Sequence, residues 1–81
     1  MKIEILGMGC ARCNDLEKQV HDVLKELNLD AEVTKVSGLD KISSYGVLMT
    51  PGLVINGKVY SSGKLPVTAT LKGWIEEQSN K

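Results

Sequence analysis

The sequence predicts an α/β fold: a three-layer sandwich of order βαβαββα, with a mixed four-stranded sheet and flanking helices. Three observations predict it. Apolar spacing changes from strand-like in residues 2–6 to helical from residue 11. An Asn56-Gly57 pair stands between two β-prone runs, the strongest short-range hairpin signal. The C-terminal stretch then returns to helical spacing.

Each element can be justified in turn. Residues 2–6, KIEIL, form a short apolar-rich run that ends at Gly7, a first strand. From Ala11 to Leu27, Cys13, Leu16, Val20, Val23, Leu24 and Leu27 recur at three and four, one apolar stripe of a helix that Asn28 can stop. His21 flanks that stripe and reads as a solvated side chain. Residues 31–36, AEVTKV, form a second strand. Because it follows the first through a helix, a parallel crossover is its natural pairing. Residues 39–45, LDKISSY, form a short helix or turn that ends at Gly46. Residues 53–55 and 58–60 are the antiparallel hairpin, closed by Ser61-Ser62-Gly63. Pro66 sits near the start of the last helix, where its missing N–H is harmless. Val67, Leu71, Trp74 and Ile75 supply that helix's stripe, Gly73 weakens it, and residues 76–81 are polar enough to fray.

Composition narrows the function. Eighty-one residues make one domain, 1–81. Ten basic residues balance ten acidic ones, which disfavours binding nucleic acid through bulk charge. The aromatic side chains are Tyr45, Tyr60 and Trp74, too few for a base-stacking platform. No apolar run approaches the ~20 residues of a membrane span. The N-terminus lacks the pattern of a secretory signal, so the expected setting is the cytoplasm, with no membrane partner and a monomeric chain.

Cys10 and Cys13 are the chemically loud feature. Two cysteines cannot build the disulfide framework of a small secreted scaffold. A C-x-x-C at the mouth of a helix is different. The first N–H groups of a helix lack internal acceptors and, with the helix dipole, favour a thiolate at Cys10. Arg12 adds positive field, and Gly7 and Gly9 keep the approach open. A thiolate attacks disulfides, so exposed Cys10 reads as nucleophile and core-facing Cys13, one turn in, as resolving thiol. The redox centre is then the Cys10–Cys13 disulfide itself, with no bound cofactor.

The segments KIEILGMGCARCNDLEKQV, AEVTKV and YGVLMTPGLVINGKVYSSGKLP together resemble the thioredoxin superfamily over essentially the whole chain. They are most similar to the short thioredoxin-like or glutaredoxin-like proteins called redox-active disulfide protein 2. The resemblance implies a thioredoxin-like sandwich, a cis Pro51 beside the cysteines, and a substrate groove shaped by Thr50 and Pro51. It also implies a disulfide-containing protein substrate and a thioredoxin-reductase-like electron donor. Thioredoxins place a buried acid six residues before the nucleophilic cysteine, and Glu4 holds that offset. Glu4 is then either a proton acceptor for Cys13 that tunes its pKa, or a residue on an accessible part of the strand. The chain departs from ordinary thioredoxins in having Gly9 before the pair and Ala11-Arg12 within it. A shallow apolar surface near Met8, Met49 and Pro51 is a further expectation for docking a partner.

The run GMGCARC also resembles the G-M-x-C-x-x-C pattern of heavy-metal-associated domains, which bind Cu(I) or similar soft ions. A Cu(I)-type chaperone using Cys10 and Cys13 as metal ligands is therefore the alternative. That family runs βαββαβ and ends in a strand, whereas this sequence ends in helical spacing.

Overall fold

The alternation of apolar residues on two central strands dictates the layering. In the computed structural model, which describes residues 1–7, 11–47 and 49–79, the order is β1 (Lys2–Leu6), α1 (Ala11–Glu26), β2 (Glu32–Val36), α2 (Leu39–Ser44), β3 (Gly52–Ile55), β4 (Lys58–Ser62) and α3 (Thr68–Ser79). The strands lie side by side as β2-β1-β3-β4. β1 pairs parallel to β2 and antiparallel to β3, and β3 pairs antiparallel to β4. The sheet is mixed and four-stranded, as the sequence predicts.

Ile3 and Ile5 of β1 join Leu53 and Ile55 of β3 on one face, where Leu16, Val20, Val23 and Leu24 of α1 and Leu71 and Ile75 of α3 cover them. Leu6 and Val54 point the other way, into a smaller core with Val36, Ile42 and Val47. Ile42 brings α2 to that second face, so the sheet is sandwiched between α1 and α3 on one side and α2 on the other. Burying one such aliphatic side chain contributes about 1.5–3 kcal/mol, which matters in a domain this small.

Local chemistry explains the connections. Asn56 and Gly57 both have positive φ, 52° and 85°, the pair of left-handed residues that a tight two-residue hairpin needs. The turn is braced to β1: Asn56 N–H donates to the Lys2 carbonyl, and Lys2 N–H donates to Asn56 Oδ1. Asn28, with φ of 55°, turns the chain after α1. Lys72 Nζ reaches Glu26 Oε1 at 2.9 Å and ties α3 to α1.

The structure corrects two features of the C-terminal half. Val67 does not join the apolar stripe. It precedes α3, is 70% exposed, and its carbonyl accepts the Leu71 N–H. The Gln19 side chain donates to the Pro66 carbonyl instead, holding the chain two residues before the helix starts. Where polarity suggests fraying from residue 76, α3 continues through Ser79, and Gln78 is buried between Asn56 and Tyr60 and hydrogen-bonds to both. The last element among the described residues is also a helix, α3, rather than the final strand of a βαββαβ domain. No helix among the described residues is long and apolar enough to cross a membrane.

Leu71 and Val67 therefore behave oppositely on truncation. Leu71→Ala is expected to cost about 2–5 kcal/mol, and Val67→Ala no more than about 0.5 kcal/mol, as read from urea unfolding midpoints.

Candidate functional site

The first turn of α1 is seated at the C-terminal end of β1. Gly7 extends the β1–β2 ladder by donating its N–H to the Val36 carbonyl at 2.9 Å. Cys13 projects from α1 toward that point and is 4% exposed. A methyl group at Gly7 would overlap Cys13 Sγ and lie 3.0 Å from Cys13 Cβ and 3.9 Å from Thr50 Cβ. Gly7 therefore does not keep an approach open, as the sequence suggests. It is buried, and its missing side chain is the space that the Cys13 sulfur fills. Cys13 is held in a disulfide. Cys10, with its neighbours Met8 and Gly9, lies outside the described residues.

Thr50 and Pro51 arrive from the other side of the sheet's end. The peptide bond between them is cis. Thr50 is exposed and Pro51 buried, and the Pro51 carbonyl accepts the Gly63 N–H at 2.9 Å. Met49 packs over Gly63, with its Cβ 3.0 Å from where a side chain there would begin, yet remains 66% exposed. Of the apolar surface expected at Met8, Met49 and Pro51, Met49 is thus the exposed part among the described residues. The structure gathers Gly7, Cys13 and Thr50 at one end of the sheet. Arg12 is exposed in the first turn of α1, which carries no acidic residue, and has no ion-pair partner among the described residues. Among the described residues no cluster of three or more His, Cys, Asp or Glu side chains could hold a metal ion.

Glu4 is not on an accessible part of its strand. It is 3% exposed and shares the α2 side of β1 with Leu6. Tyr45 Oη donates to Glu4 Oε1 at 2.8 Å, and Lys41 Nζ lies 3.7 Å from Oε2. Glu4 Oε2 has no hydrogen bond among the described residues. The bond to the carboxylate, then partial burial and the carboxylate's charge, hold the Tyr45 phenol above its ordinary value of 10.0. Sequence reasoning missed Tyr45 and Lys41 as partners of Glu4. The available signal was their four-residue spacing on a short helix, which puts both on one face.

Two measurements check this geometry. Gly7→Ala forces the end of β1 and the start of α1 apart, and is expected to lower stability by about 1–3 kcal/mol in thermal unfolding of the oxidised protein. Tyr45 keeps its proton more tightly folded than unfolded. Its contribution is therefore complete below the unfolded value and lost as pH rises through the raised folded one. Urea stability should fall through that alkaline window, and Tyr45→Phe should remove the Tyr45 part of the slope.

The chain is similar to known thioredoxins. A thioredoxin domain model matches residues 1–76. A thioredoxin of Methanothermobacter thermautotrophicus is 39% identical over 72 residues, covering 89% of this chain and 94% of its relative. A thioredoxin of Methanocaldococcus jannaschii is 34% identical over 78 residues, covering 91% of this chain and 90% of its relative. The solved structure of thioredoxin 1 from Thermosipho africanus TCF52B superposes with a TM-score of 0.65 at 22% identity, covering all of both chains, which shows the shared fold.

Proposed function

The chain belongs to the thioredoxin family, and on that premise we propose that it is a small thiol–disulfide oxidoreductase with Cys10 as nucleophile and Cys13 as resolving thiol. The supporting observation is the burial of Cys13 against Gly7, beside Thr50, in the first turn of α1. A sulfur sealed in this way is poorly exposed to an incoming disulfide. It is well placed to attack a bond formed by a cysteine one turn earlier in the sequence.

The reaction balances as two exchanges. The Cys10 thiolate attacks one sulfur of a substrate disulfide, that S–S bond breaks, and the first substrate thiolate leaves. The Cys13 thiolate then attacks Cys10 Sγ in the mixed disulfide. The second substrate thiolate leaves and the Cys10–Cys13 disulfide forms. Two electrons have passed to the substrate, whose thiolates take up two protons. An external dithiol donor of the thioredoxin-reductase type restores the reduced pair. Positive potential from the N-terminus of α1 and from Arg12 favours the attacking thiolate over the thiol. Exposed Thr50, close to Gly7 and Cys13, supplies backbone with no hydrogen-bond partner among the described residues for an extended substrate segment, and the neighbouring Pro51 is buried. Work in the reducing direction fits a cytoplasmic setting.

Trapping decides the roles. Cys13→Ser, reacted with a disulfide substrate, is expected to accumulate a mixed disulfide visible by intact mass, and Cys10→Ser to form none. Absence of any adduct in Cys13→Ser would reverse or remove the assignment. Titration of the parent in redox buffers with and without Cu(I) should give a reversible two-electron couple. Stoichiometric Cu(I) binding without disulfide turnover would favour the metal-carrying alternative.

A further inference from the structure

We infer that Tyr45 and Lys41 are positioning residues for the Thr50–Pro51 loop, acting through the buried carboxylate of Glu4. The inference rests on the proposed function, in which that loop receives the disulfide substrate. Glu4 is an unyielding anchor. Its strand is paired on both edges, with Thr34 opposite on one side and Val54 on the other, and its side chain is 5% exposed. Lys41 of α2 and Tyr45 at its C-cap stand four residues apart and converge on the two oxygens of one carboxylate.

Tyr45 is also where the loop begins. It caps the C-terminus of α2, with its N–H returning to the Ile42 carbonyl. Gly46 N–H closes the turn on the Ser43 carbonyl at 2.8 Å. The chain then passes buried Val47, whose Cγ1 is 3.2 Å from where a side chain at Gly52 would begin, and reaches exposed Thr50 and buried Pro51. The segment is thus pinned at its far end by Pro51 and Gly63, and at its near end by the phenol of Tyr45. A hydrogen bond to a charged acceptor is stronger and more directional than a neutral one. Lys41 is 57% exposed, so solvent screens its attraction and the phenol is the firmer grip. With Oε2 already lacking a hydrogen bond, loss of the phenol leaves the carboxylate with no hydrogen-bond donor among the described residues. The seating of α2, and of the loop behind it, then relaxes.

This role differs from proton transfer at Cys13 in which variants restore it. Glutamine can still accept the Tyr45 hydrogen bond but cannot accept a proton from a thiol. The test is steady-state reduction of insulin, which must lie along the loop, beside a small aromatic disulfide, which needs only the sulfurs. Tyr45→Phe is expected to raise KM for insulin about five- to tenfold, with the rate on the small disulfide within about twofold of the parent. Glu4→Leu should match it, and Glu4→Gln should restore most of the KM. Independently of turnover, hydrogen exchange at the Gly63 amide, which is bonded to the Pro51 carbonyl, should rise about tenfold in Tyr45→Phe, with Ile5 unchanged. Lys41→Met should give a smaller change of the same sign.

An unchanged KM and unchanged Gly63 exchange in Tyr45→Phe would overturn the inference. So would equal losses on both disulfides that track the unfolded fraction, since those mark a purely structural contact. A fall in kcat on both disulfides in Glu4→Gln, with Tyr45→Phe unaffected, would assign the carboxylate to proton transfer instead. If the parent reduces neither disulfide, the oxidoreductase reading fails by itself. The exchange measurement then still decides whether Tyr45 holds the loop.

Discussion

Strand β1 is hydrogen-bonded along both edges and covered on both faces, and every other layer is fastened to it. Ile3 and Ile5 meet α1 and α3, Leu6 meets the α2 core, and residues 3–6 pair with both β2 and β3. In an interior packed at crystal-like density, a strand held in this way cannot shift by a fraction of an ångström without disturbing two cores. That rigidity makes its C-terminal end a suitable place for chemistry. Gly7 continues the strand's pairing and presents a bare backbone to the sulfur of Cys13. The closeness of strand and helix there depends on one missing side chain.

The same strand serves the opposite side of the site. Thr50 and Pro51 belong to the segment between α2 and β3, and both of those elements answer to β1. β3 does so through direct pairing, with Gly52 beside Leu6. α2 does so through Ile42 in the second core and through the grip of Tyr45 and Lys41 on Glu4. The sulfur and the loop beside it are therefore referenced to one short rigid element from its two faces. Two groups that must meet a substrate together gain from such a common frame, because their relative position does not depend on the softer outer parts of the sheet.

How much of this was legible in the sequence follows from how local each signal is. The hairpin at Asn56-Gly57, the stripe of α1 and the stop at Gly7 are written within a few neighbouring residues, and the structure places those elements where the spacing does. The pairing of β1 with β3 is not local. No turn joins them, and the hydrophobic pattern of GLVI names a strand buried on both faces without naming its neighbours. Val67 shows the limit of periodicity. It has the right spacing for the stripe of α3 but lies before the first turn, where a carbonyl, not a side chain, is what the helix uses. Gln78 shows the converse, a polar residue held inside by two specific partners that polarity alone would send to solvent. At the site, Cys13 was legible as the buried member of the pair. The role of Gly7 was not, because a contact between a backbone and a sulfur six residues later depends on how strand and helix cross.

Glu4 raises the question of why a small domain should bury a carboxylate at all. An apolar side chain of similar volume would extend the second core around Leu6 and Val54, and such replacements are often neutral or stabilising. Among the described residues the charge is partly compensated, since one oxygen has a good hydrogen bond and the other a nearby, half-exposed ammonium without one. What an apolar substitute would lack is direction. Packing of Ile42 and Val47 tells α2 to lie on the sheet but tolerates small slides along it. A bond from Tyr45 Oη to a fixed oxygen on β1 tolerates far less, because hydrogen bonds weaken steeply as they bend. The cluster sits at the one junction where a slide of α2 would be passed straight into the loop that ends at Pro51. A costly polar contact at that junction is accounted for if the quantity being held is the position of the loop, and not the stability of the fold.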